Sequence, residues 1–324
     1  MSGFWDNKKV LVTGGAGFVG SFVTEQLVDL GASVTITTLS PKESKNVQHL
    51  GNKISIITAD LTDSKAAIAA GKGQQIIMNL AARVGGIEYN RLHPGTMFRD
   101  NIFISSNMLD SAVKNEVERM LVVSSACVYP RECTIPTPEE EGFKDLPEPT
   151  NDGYGWAKRM AEFQADAYKR EYGLKTAIAR PYNCYGPRDH FDVKNGHVIA
   201  AIIKRIFDGE NPLTVWGTGR PTRSFLYVED FARGLIEITE KYAENDPINL
   251  GTDEEITIKD LVALIVELSG KQVEIEYDTT KPDGQPRRNC DTVKLSSKVG
   301  FKPQCALREG LQKTIEYYQH EFGQ

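Results

Sequence analysis

A glycine-rich turn close to the start of the chain limits the fold more than any other feature. The apolar segment KKVLVT runs directly into GGAGFVG (14–20), and a helical pattern that ends at Gly31 follows. There Gly14 permits a tight turn, Gly17 lets the backbone approach a pyrophosphate, and Gly20 lets helix and strand pack closely. The helix start faces the anion. An ordinary loop is the alternative for a glycine triplet, but a strand before it and a helix after it favour a dinucleotide site. The predicted cofactor contacts of the turn are Gly14, Gly17, Phe18, Val19 and Gly20.

The first half of the chain alternates short β-branched runs with helical patterns. The predicted strands lie in KKVLVT, SVTITT, KISIITAD, QQIIMNLAA, ERMLVVSSACVY and KTAIARPYNCYG. This alternation is typical of an α/β fold with a doubly wound parallel Rossmann sheet, because parallel strands need right-handed crossovers. From about residue 183, loops rich in Gly, Pro and Asp predict a smaller C-terminal substrate-binding lobe. We expect residues 1–182 and about 227–252 in the cofactor domain, with 183–226 and 253–324 in the lobe.

Charge and composition restrict the partners. The net charge is −6 and no dense basic tract occurs, which argues against a nucleic-acid surface. No segment has the ~20 apolar residues that span a bilayer, so we expect no membrane partner. The five cysteines are scattered without metal-ligand spacing. They predict free thiols, a cytoplasmic location and no metal site.

The end of the second strand bears on the choice of cofactor. In NAD-binding proteins an acidic side chain there bonds the ribose 2′-hydroxyl, but this chain has Thr38. Ser40 and Lys42 follow and are able to contact a 2′-phosphate, although a solvated loop lysine is the alternative for Lys42. We therefore expect NADP(H), with NAD(H) as the alternative. Asp60 is the predicted partner of the adenine amino group. Further predicted cofactor contacts are Leu61, Ala81 and Ala82.

A serine, a tyrosine and a lysine suggest the chemistry. Ser125 ends the fifth predicted strand, and Tyr154 and Lys158 lie four residues apart on one face of a predicted helix. We expect the ammonium to lower the tyrosine pKa from its usual value of about 10, so that Tyr154 exchanges a proton while a hydride moves at the nicotinamide. A YxxxK pair alone is usually a surface pair; the glycine turn and Ser125 favour catalysis.

Several segments together resemble one enzyme family. TGGAGFVG, SSACVYP, YGWAK, PYNCYGP, WGTGRPTRSFLYVED and KPDGQPRR are similar, in order and over essentially the whole chain, to the extended short-chain dehydrogenase/reductases that act on nucleotide sugars. This resemblance implies a Rossmann cofactor domain, a lobe that binds a nucleoside diphosphate sugar, and homodimers that usually pair through a four-helix bundle. LAARVGGI and NGHVIAAIIKRIF are most similar to the GDP-L-fucose synthases, which epimerise C-3 and C-5 of GDP-4-keto-6-deoxymannose and reduce the ketone with NADPH.

Epimerisation beside a ketone needs a base on one ring face and an acid on the other. The resemblance implies Cys127 and His197 for these roles, and a thiol and an imidazole can exchange protons near neutral pH. Taken singly, the cysteine reads as a small core residue and the histidine as a surface group. The resemblance also implies substrate contacts, in which the cations suit a diphosphate although each reads alone as a surface charge. These contacts are Gly86, Ser125, Asn183, His197, Arg205, Trp216, Arg223 and Lys281.

Departures from this pattern leave two alternatives open. Ala126 stands where these synthases have a serine, as in GDP-mannose 3,5-epimerase, which pairs its cysteine with a lysine where this chain has His197. Thr38 fits neither the acidic NAD signature nor an arginine clamp for NADP. The first alternative is an epimerase, 3,5- or 4-, that retains NAD and leaves the sugar's oxidation level unchanged. The second is a dinucleotide-binding regulator without turnover.

Overall fold

A computed structural model describes residues 3–193, 196–281 and 283–323. Its centre is a seven-stranded, entirely parallel sheet in the order β10-β6-β5-β4-β1-β2-β3. These strands are β1 (Lys9–Thr13), β2 (Ser33–Thr38), β3 (Ile54–Thr58), β4 (Ile76–Asn79), β5 (Arg119–Val123), β6 (Thr176–Pro181) and β10 (Pro247–Leu250). The order departs from β1 in both directions, as in a doubly wound fold.

Helices connect the strands and cover the sheet. They are α1 (Phe18–Asp29), α2 (Ser64–Ala70), α3 (Ile87–Leu92), α4 (Pro94–Lys114), α5 (Asp152–Tyr172), α6 (Val198–Phe207), α7 (Val228–Lys241), α8 (Ile258–Ser269), α9 (Val293–Val299) and α10 (Leu307–Phe322). Turns of 3₁₀ helix cover Pro41–Lys53, Ala126–Val128, Glu139–Phe143 and Pro149–Asn151. Strands β1, β4 and β5 are largely apolar because both faces of the sheet are covered there; all four residues of β4 are buried.

Two small sheets lie outside the central one. β9 (Thr222–Tyr227) pairs with β7 (Asn183–Tyr185), β11 (Glu255–Thr257) and β13 (Arg287–Arg288), and β8 (Leu213–Trp216) pairs with β12 (Ile275–Asp278). The segment KTAIARPYNCYG, predicted as one strand, is divided: β6 joins the central sheet and β7 joins β9. The chain changes sheets at Tyr182, so residues after β6 lie beside the C-terminal elements.

A buried ion pair fixes the segment that follows β5. Glu162 on α5 and Arg180 on β6 form a salt bridge of 2.7 Å, and each side chain is 3% exposed. Ser124, directly after β5, donates a hydrogen bond to Glu162, and Arg180 also donates to the Tyr129 hydroxyl at 3.2 Å. A buried charge pair persists only when its remaining bonding positions are satisfied. The network therefore holds the segment from Ser124 to Tyr129 against α5 and β6.

Candidate active site

The glycine turn has the geometry of a phosphate cradle. Gly14 has φ +64°, a backbone conformation that favours glycine. A side chain at Gly20 would place its Cβ 2.1 Å from the Gly14 carbonyl oxygen, and one at Gly17 would place it 3.2 Å from the same atom. Gly17 is also the N-cap of α1 and supplies no side-chain cap. The N-terminal amides of α1, which includes Phe18, Val19 and Gly20, are thus available to an anion, and the residues present fit a dinucleotide pyrophosphate.

The predicted 2′-phosphate region holds a carboxylate as well as a lysine. Thr38 is buried and its hydroxyl donates to the Ser40 carbonyl at 2.9 Å, while the Ser40 hydroxyl accepts from Lys42 N–H at 3.3 Å. The Lys42 side chain is exposed. Glu43, which sequence reasoning overlooked, accepts a hydrogen bond from Leu39 N–H at 3.3 Å. The Pro41–Lys53 turn brings this carboxylate back to the strand end, where spacing along the sequence did not place one.

The remaining predicted cofactor contacts follow the ends of β3 and β4. Asp60 accepts two hydrogen bonds from Thr62 on one carboxylate oxygen, which lower the pKa of Asp60 and leave the other oxygen without a protein donor among the described contacts. Leu61 is buried. Ala81 N–H donates to the Thr13 hydroxyl at 2.9 Å, which ties the end of β4 to the end of β1. Ala82 follows, half-buried.

Ser125, Tyr154 and Lys158 lie where β5 ends and α5 begins. The Ser125 hydroxyl oxygen accepts from Cys127 N–H at 3.1 Å. The Lys158 ammonium donates to the Val123 carbonyl at 2.7 Å and lies 5.3 Å from the centroid of the Tyr154 ring. Burial lowers the pKa of Lys158 to about 8.

The expectation that Lys158 lowers the tyrosine pKa is wrong for this structure. The pKa of Tyr154 is raised, mainly by burial and also by the neighbouring Cys127. The Lys158 ammonium donates its hydrogen bond to the Val123 carbonyl, and its own pKa is lowered by burial. Tyr154 is therefore in its protonated form at neutral pH.

Cys127 lies in the short turn after β5, against the start of α5. A side chain at Gly155 would overlap the Cys127 carbonyl oxygen, at 2.5 Å, so glycine permits this close approach. The Sγ atom of Cys127 is 4.0 Å from Nη2 of Arg288 on β13. Arg288 was not predicted, although it ends the segment KPDGQPRR in which Lys281 was singled out. The contact depends on the pairing of β13 with β9, which local spacing does not reveal.

His197 is held by a buried carboxylate. It caps the N-terminus of α6, and its Nδ1 lies 2.9 Å and 3.2 Å from the two carboxylate oxygens of Asp189. The Asp189 side chain is 2% exposed, whereas that of His197 is 65% exposed. The hydrogen bond to Asp189 raises the pKa of His197. Asp189 was also missed by sequence reasoning; its only signal was a carboxylate eight residues before the histidine.

Two predicted substrate contacts meet on β7 and β9. Asn183 donates to the Ser224 carbonyl at 2.9 Å. Arg223 donates to the carbonyls of Thr222 and Gln285, at 2.7 and 2.9 Å, and pairs in register with Arg288 across β9 and β13. Burial and the neighbouring guanidinium of Arg288 lower the pKa of Arg223. Two arginines therefore lie side by side near Cys127.

The other predicted substrate contacts are dispersed. Arg205 is bonded to the carboxylate of Glu210 and to the Thr214 carbonyl, so its guanidinium already has protein partners. The Lys281 ammonium lies 5.8 Å from the ring centroid of Trp216, whose indole is 69% exposed at the end of β8. Gly86 precedes α3 as its N-cap.

Residues 10–251 match the model of the NAD dependent epimerase/dehydratase family. The chain belongs to this family. The match begins in β1 and ends just after β10, and it includes the glycine turn, the Tyr154–Lys158 pair and His197. The predictions of an NAD(P)-dependent enzyme and of a parallel Rossmann sheet are confirmed.

Relatives in this family cover almost the whole chain. A probable GDP-L-fucose synthase from Oryza sativa subsp. japonica is 34% identical over 96% of this chain and 92% of the relative. GDP-L-fucose synthase from Escherichia coli strain K12 is 32% identical over 96% of each. The crystal structure of a UDP-glucose 4-epimerase from Thermotoga maritima has a TM-score of 0.85 and 29% identity, covering 96% of this chain and 98% of that one. The similarity to GDP-L-fucose synthases predicted from the motifs is thus confirmed.

Proposed function

We propose that this chain is an epimerase-reductase that converts GDP-4-keto-6-deoxymannose to a reduced deoxysugar nucleotide such as GDP-L-fucose. One observation carries the proposal. Cys127 lies against α5, the helix that supplies Tyr154 and Lys158, and His197 at the start of α6 is hydrogen-bonded to the buried carboxylate of Asp189. Reduction or 4-epimerisation alone needs the tyrosine and lysine but not a thiol and an imidazole. Inversion beside a ketone needs both kinds of group.

Epimerisation uses Cys127 and His197. The Cys127 thiolate removes a proton from the carbon next to the ketone, and the electron pair of the broken C–H bond moves onto the carbonyl oxygen as an enolate. The His197 imidazolium then donates a proton to the opposite face of that carbon, which restores the ketone. Exchange with solvent returns both side chains to their starting protonation states. Asp189 supports this role because its hydrogen bond raises the pKa of His197 and favours the imidazolium.

Reduction uses Tyr154, Ser125 and Lys158. A reduced nicotinamide dinucleotide held at the glycine turn would supply a hydride to C-4. Tyr154, which holds its proton at neutral pH, donates it to the ketone oxygen as the hydride arrives. Ser125 accepts a bond from Cys127 N–H, so its own hydrogen is available to the same oxygen. Each turnover consumes one reduced nicotinamide and one proton and leaves an alcohol at C-4.

NADP(H) is the proposed cofactor, with NAD(H) as the alternative. Ser40 and Lys42 are positioned to meet a 2′-phosphate, while Glu43 lies close enough to oppose it. Removing the Lys42 charge with Lys42→Ala should raise the KM for NADPH and leave that for NADH unchanged. Equal effects on the two cofactors would assign Lys42 no role at the 2′-phosphate.

The proposed substrate lobe comprises residues 183–226 and 253–324, and the cofactor domain the rest. Asn183, Arg223, Lys281 and Trp216 are its proposed nucleotide-sugar contacts, and the exposed indole with an ammonium over it offers an apolar face and a charge. Arg205 is a further proposed contact, although Glu210 already neutralises its charge.

A homodimer in the cytoplasm is the proposed assembly and location. α4 and α5 pack together and leave Phe98, Phe103 and Phe163 exposed, a surface that a second copy would cover. All five cysteines are free thiols. No helix in the described part of the chain has the length and apolar character needed to cross a membrane. Light scattering at micromolar concentration measures the assembly, and a monomeric mass would contradict the dimer.

The test of the activity is absorbance at the reduced-nicotinamide band. Purified protein is mixed with GDP-4-keto-6-deoxymannose and either NADPH or NADH. We expect multiple-turnover loss of NADPH, equal to the ketone consumed. No net loss, with sugar isomers forming and NAD tightly bound to the protein, would instead establish the epimerase that retains its cofactor.

A further inference from the structure

Arg288 is the one described guanidinium that contacts the Cys127 sulfur. Its Nη2 lies 4.0 Å from Sγ, at the long end of a hydrogen bond to sulfur, and the side chain is half-buried. A cation close to a thiol favours the thiolate, because the charged form gains the Coulomb attraction and the neutral form does not.

Strand geometry explains why this arginine faces the thiol. β13 has two residues, and adjacent side chains of a strand point to opposite faces. Arg287 points to the exposed side, where it forms an ion pair with Glu255 at 2.8 Å. Arg288 therefore points inward, to Cys127, and lies in register with Arg223 on β9.

Within the described part of the chain, the Arg288 charge has no close carboxylate partner. Among the described residues, its guanidinium forms no ion pair within 4.0 Å, although many of the chain's other arginines do. The nearby groups that act on it are Cys127, Tyr182 and Glu148, and the like charge of Arg223 is beside it. Burying a guanidinium beside another without a carboxylate is costly. An arrangement that persists at this cost suits a site where negative charge develops.

The other cation near Cys127 is less suited to hold a thiolate. Lys158 on α5 also feels the thiol, but its ammonium is bonded to the Val123 carbonyl and its pKa is about 8. Tyr154 on α5 is neutral when protonated. A guanidinium remains charged throughout the physiological range, whereas Lys158 loses its charge over part of it.

We infer that Arg288 is a positioning residue whose guanidinium stabilises negative charge on the Cys127 sulfur and thereby supports its role as a base. The assignment of Cys127 as a base rests on the proposed function. The electrostatic effect of Arg288 on the thiol does not, and it can be measured without substrate or turnover.

The experiment measures the rate of Cys127 alkylation by iodoacetamide as a function of pH, in the full-length protein, by mass spectrometry of the peptide that contains Cys127. In Arg288→Met, the rate at about pH 7 should fall by roughly three- to tenfold, because the thiolate is the reactive form and loses its neighbouring cation. Arg288→Lys, which keeps the charge, should restore most of the rate.

Arg287→Met is the matched control. It removes the same charge from the adjacent residue of the same strand, but its side chain points to Glu255, so the Cys127 profile should not move. An unchanged profile in Arg288→Met, or an equal shift in Arg287→Met, would overturn the inference. Arg288→Gln is measured as a second variant without the charge. Thermal melting identifies any variant that does not fold, and the other variant then provides the comparison with wild type.

The two proposals fail separately. If the alkylation profile responds to Arg288 while the protein neither consumes NADPH nor exchanges substrate protons, then the proposed function is wrong and the electrostatic assignment stands. If the protein converts the substrate but the Cys127 alkylation profile of Arg288→Met matches that of wild type, the proposed function stands and the electrostatic assignment is wrong.

Discussion

The buried Lys158 ammonium should lower the free energy of unfolding of this protein. Its side chain is 4% exposed, and burial lowers its pKa from 10.5 to about 8. A depression of this size corresponds to about 3 kcal/mol of cost for holding the charged form in the folded state. Lys158→Met removes that cost but also the hydrogen bond to the Val123 carbonyl, worth about 1 kcal/mol. We therefore expect the free energy of unfolding to rise by about 2 kcal/mol at neutral pH, with activity lost.

The pH dependence makes this prediction specific. Between about pH 8 and pH 10.5 the unfolded chain holds the Lys158 proton more tightly than the folded one, so wild-type stability contributed by this group rises with pH. Below about pH 8 both states are protonated and the full cost is present. The gain in unfolding free energy from Lys158→Met should therefore be greatest near neutral pH and should decrease as the pH rises from about 8 to 10.5.

Urea unfolding of both proteins at a series of pH values measures the difference directly, since all other titrating groups are shared. Lys169→Met, on the same helix but on an exposed site, is the control and should change stability little. A Lys158→Met protein less stable than wild type at pH 7, or a difference independent of pH, would refute the reasoning that the ammonium is held at a cost.

Three further predictions concern the buried carboxylate, the glycine turn and the ion pair. Asp189→Asn removes the carboxylate charge that raises the His197 pKa, so the basic limb of the pH profile for substrate proton exchange should move to lower pH. A limb that does not move would show that Asp189 has no effect on the exchange. Gly20→Ala places a methyl group 2.1 Å from a backbone carbonyl and should weaken NADPH binding at least about tenfold by fluorescence titration, whereas an unchanged Kd would contradict the cradle. Arg180→Met should lower the free energy of unfolding, measured with urea, by about 3–5 kcal/mol, because it leaves the buried Glu162 carboxylate unpaired. Adding Glu162→Met should recover much of this loss. Additive losses in the double variant would show that the two residues are not coupled.

Local features of the sequence predicted the parts of the site that are built locally. The glycine turn lies within one strand–helix junction, and Tyr154 and Lys158 are one helical turn apart, so spacing alone brought them together. Arg288 was missed because strand pairing brings it to a residue 161 positions away, whereas Asp189 and Glu43 were missed because irregular loops of eight and four residues place them. The same limit explains why the predicted direction of the Tyr154 pKa shift is wrong. Spacing along the sequence shows that a lysine is near Tyr154, but it does not show that the phenol is buried or that the ammonium bonds a backbone carbonyl.

The central claim is that one chain carries two separable half-reactions, with Cys127 and His197 exchanging protons and Tyr154 assisting the reduction. The most direct measurement follows GDP-4-keto-6-deoxymannose in heavy water with NADPH, using NMR to locate deuterium and absorbance to follow the cofactor, for wild type and Tyr154→Phe. Wild type should yield a reduced sugar with deuterium at C-3 and C-5 and consume one NADPH per sugar. Tyr154→Phe should still incorporate deuterium while NADPH persists. Loss of deuterium incorporation together with reduction in Tyr154→Phe, or reduction by wild type without deuterium at either carbon, would contradict the account.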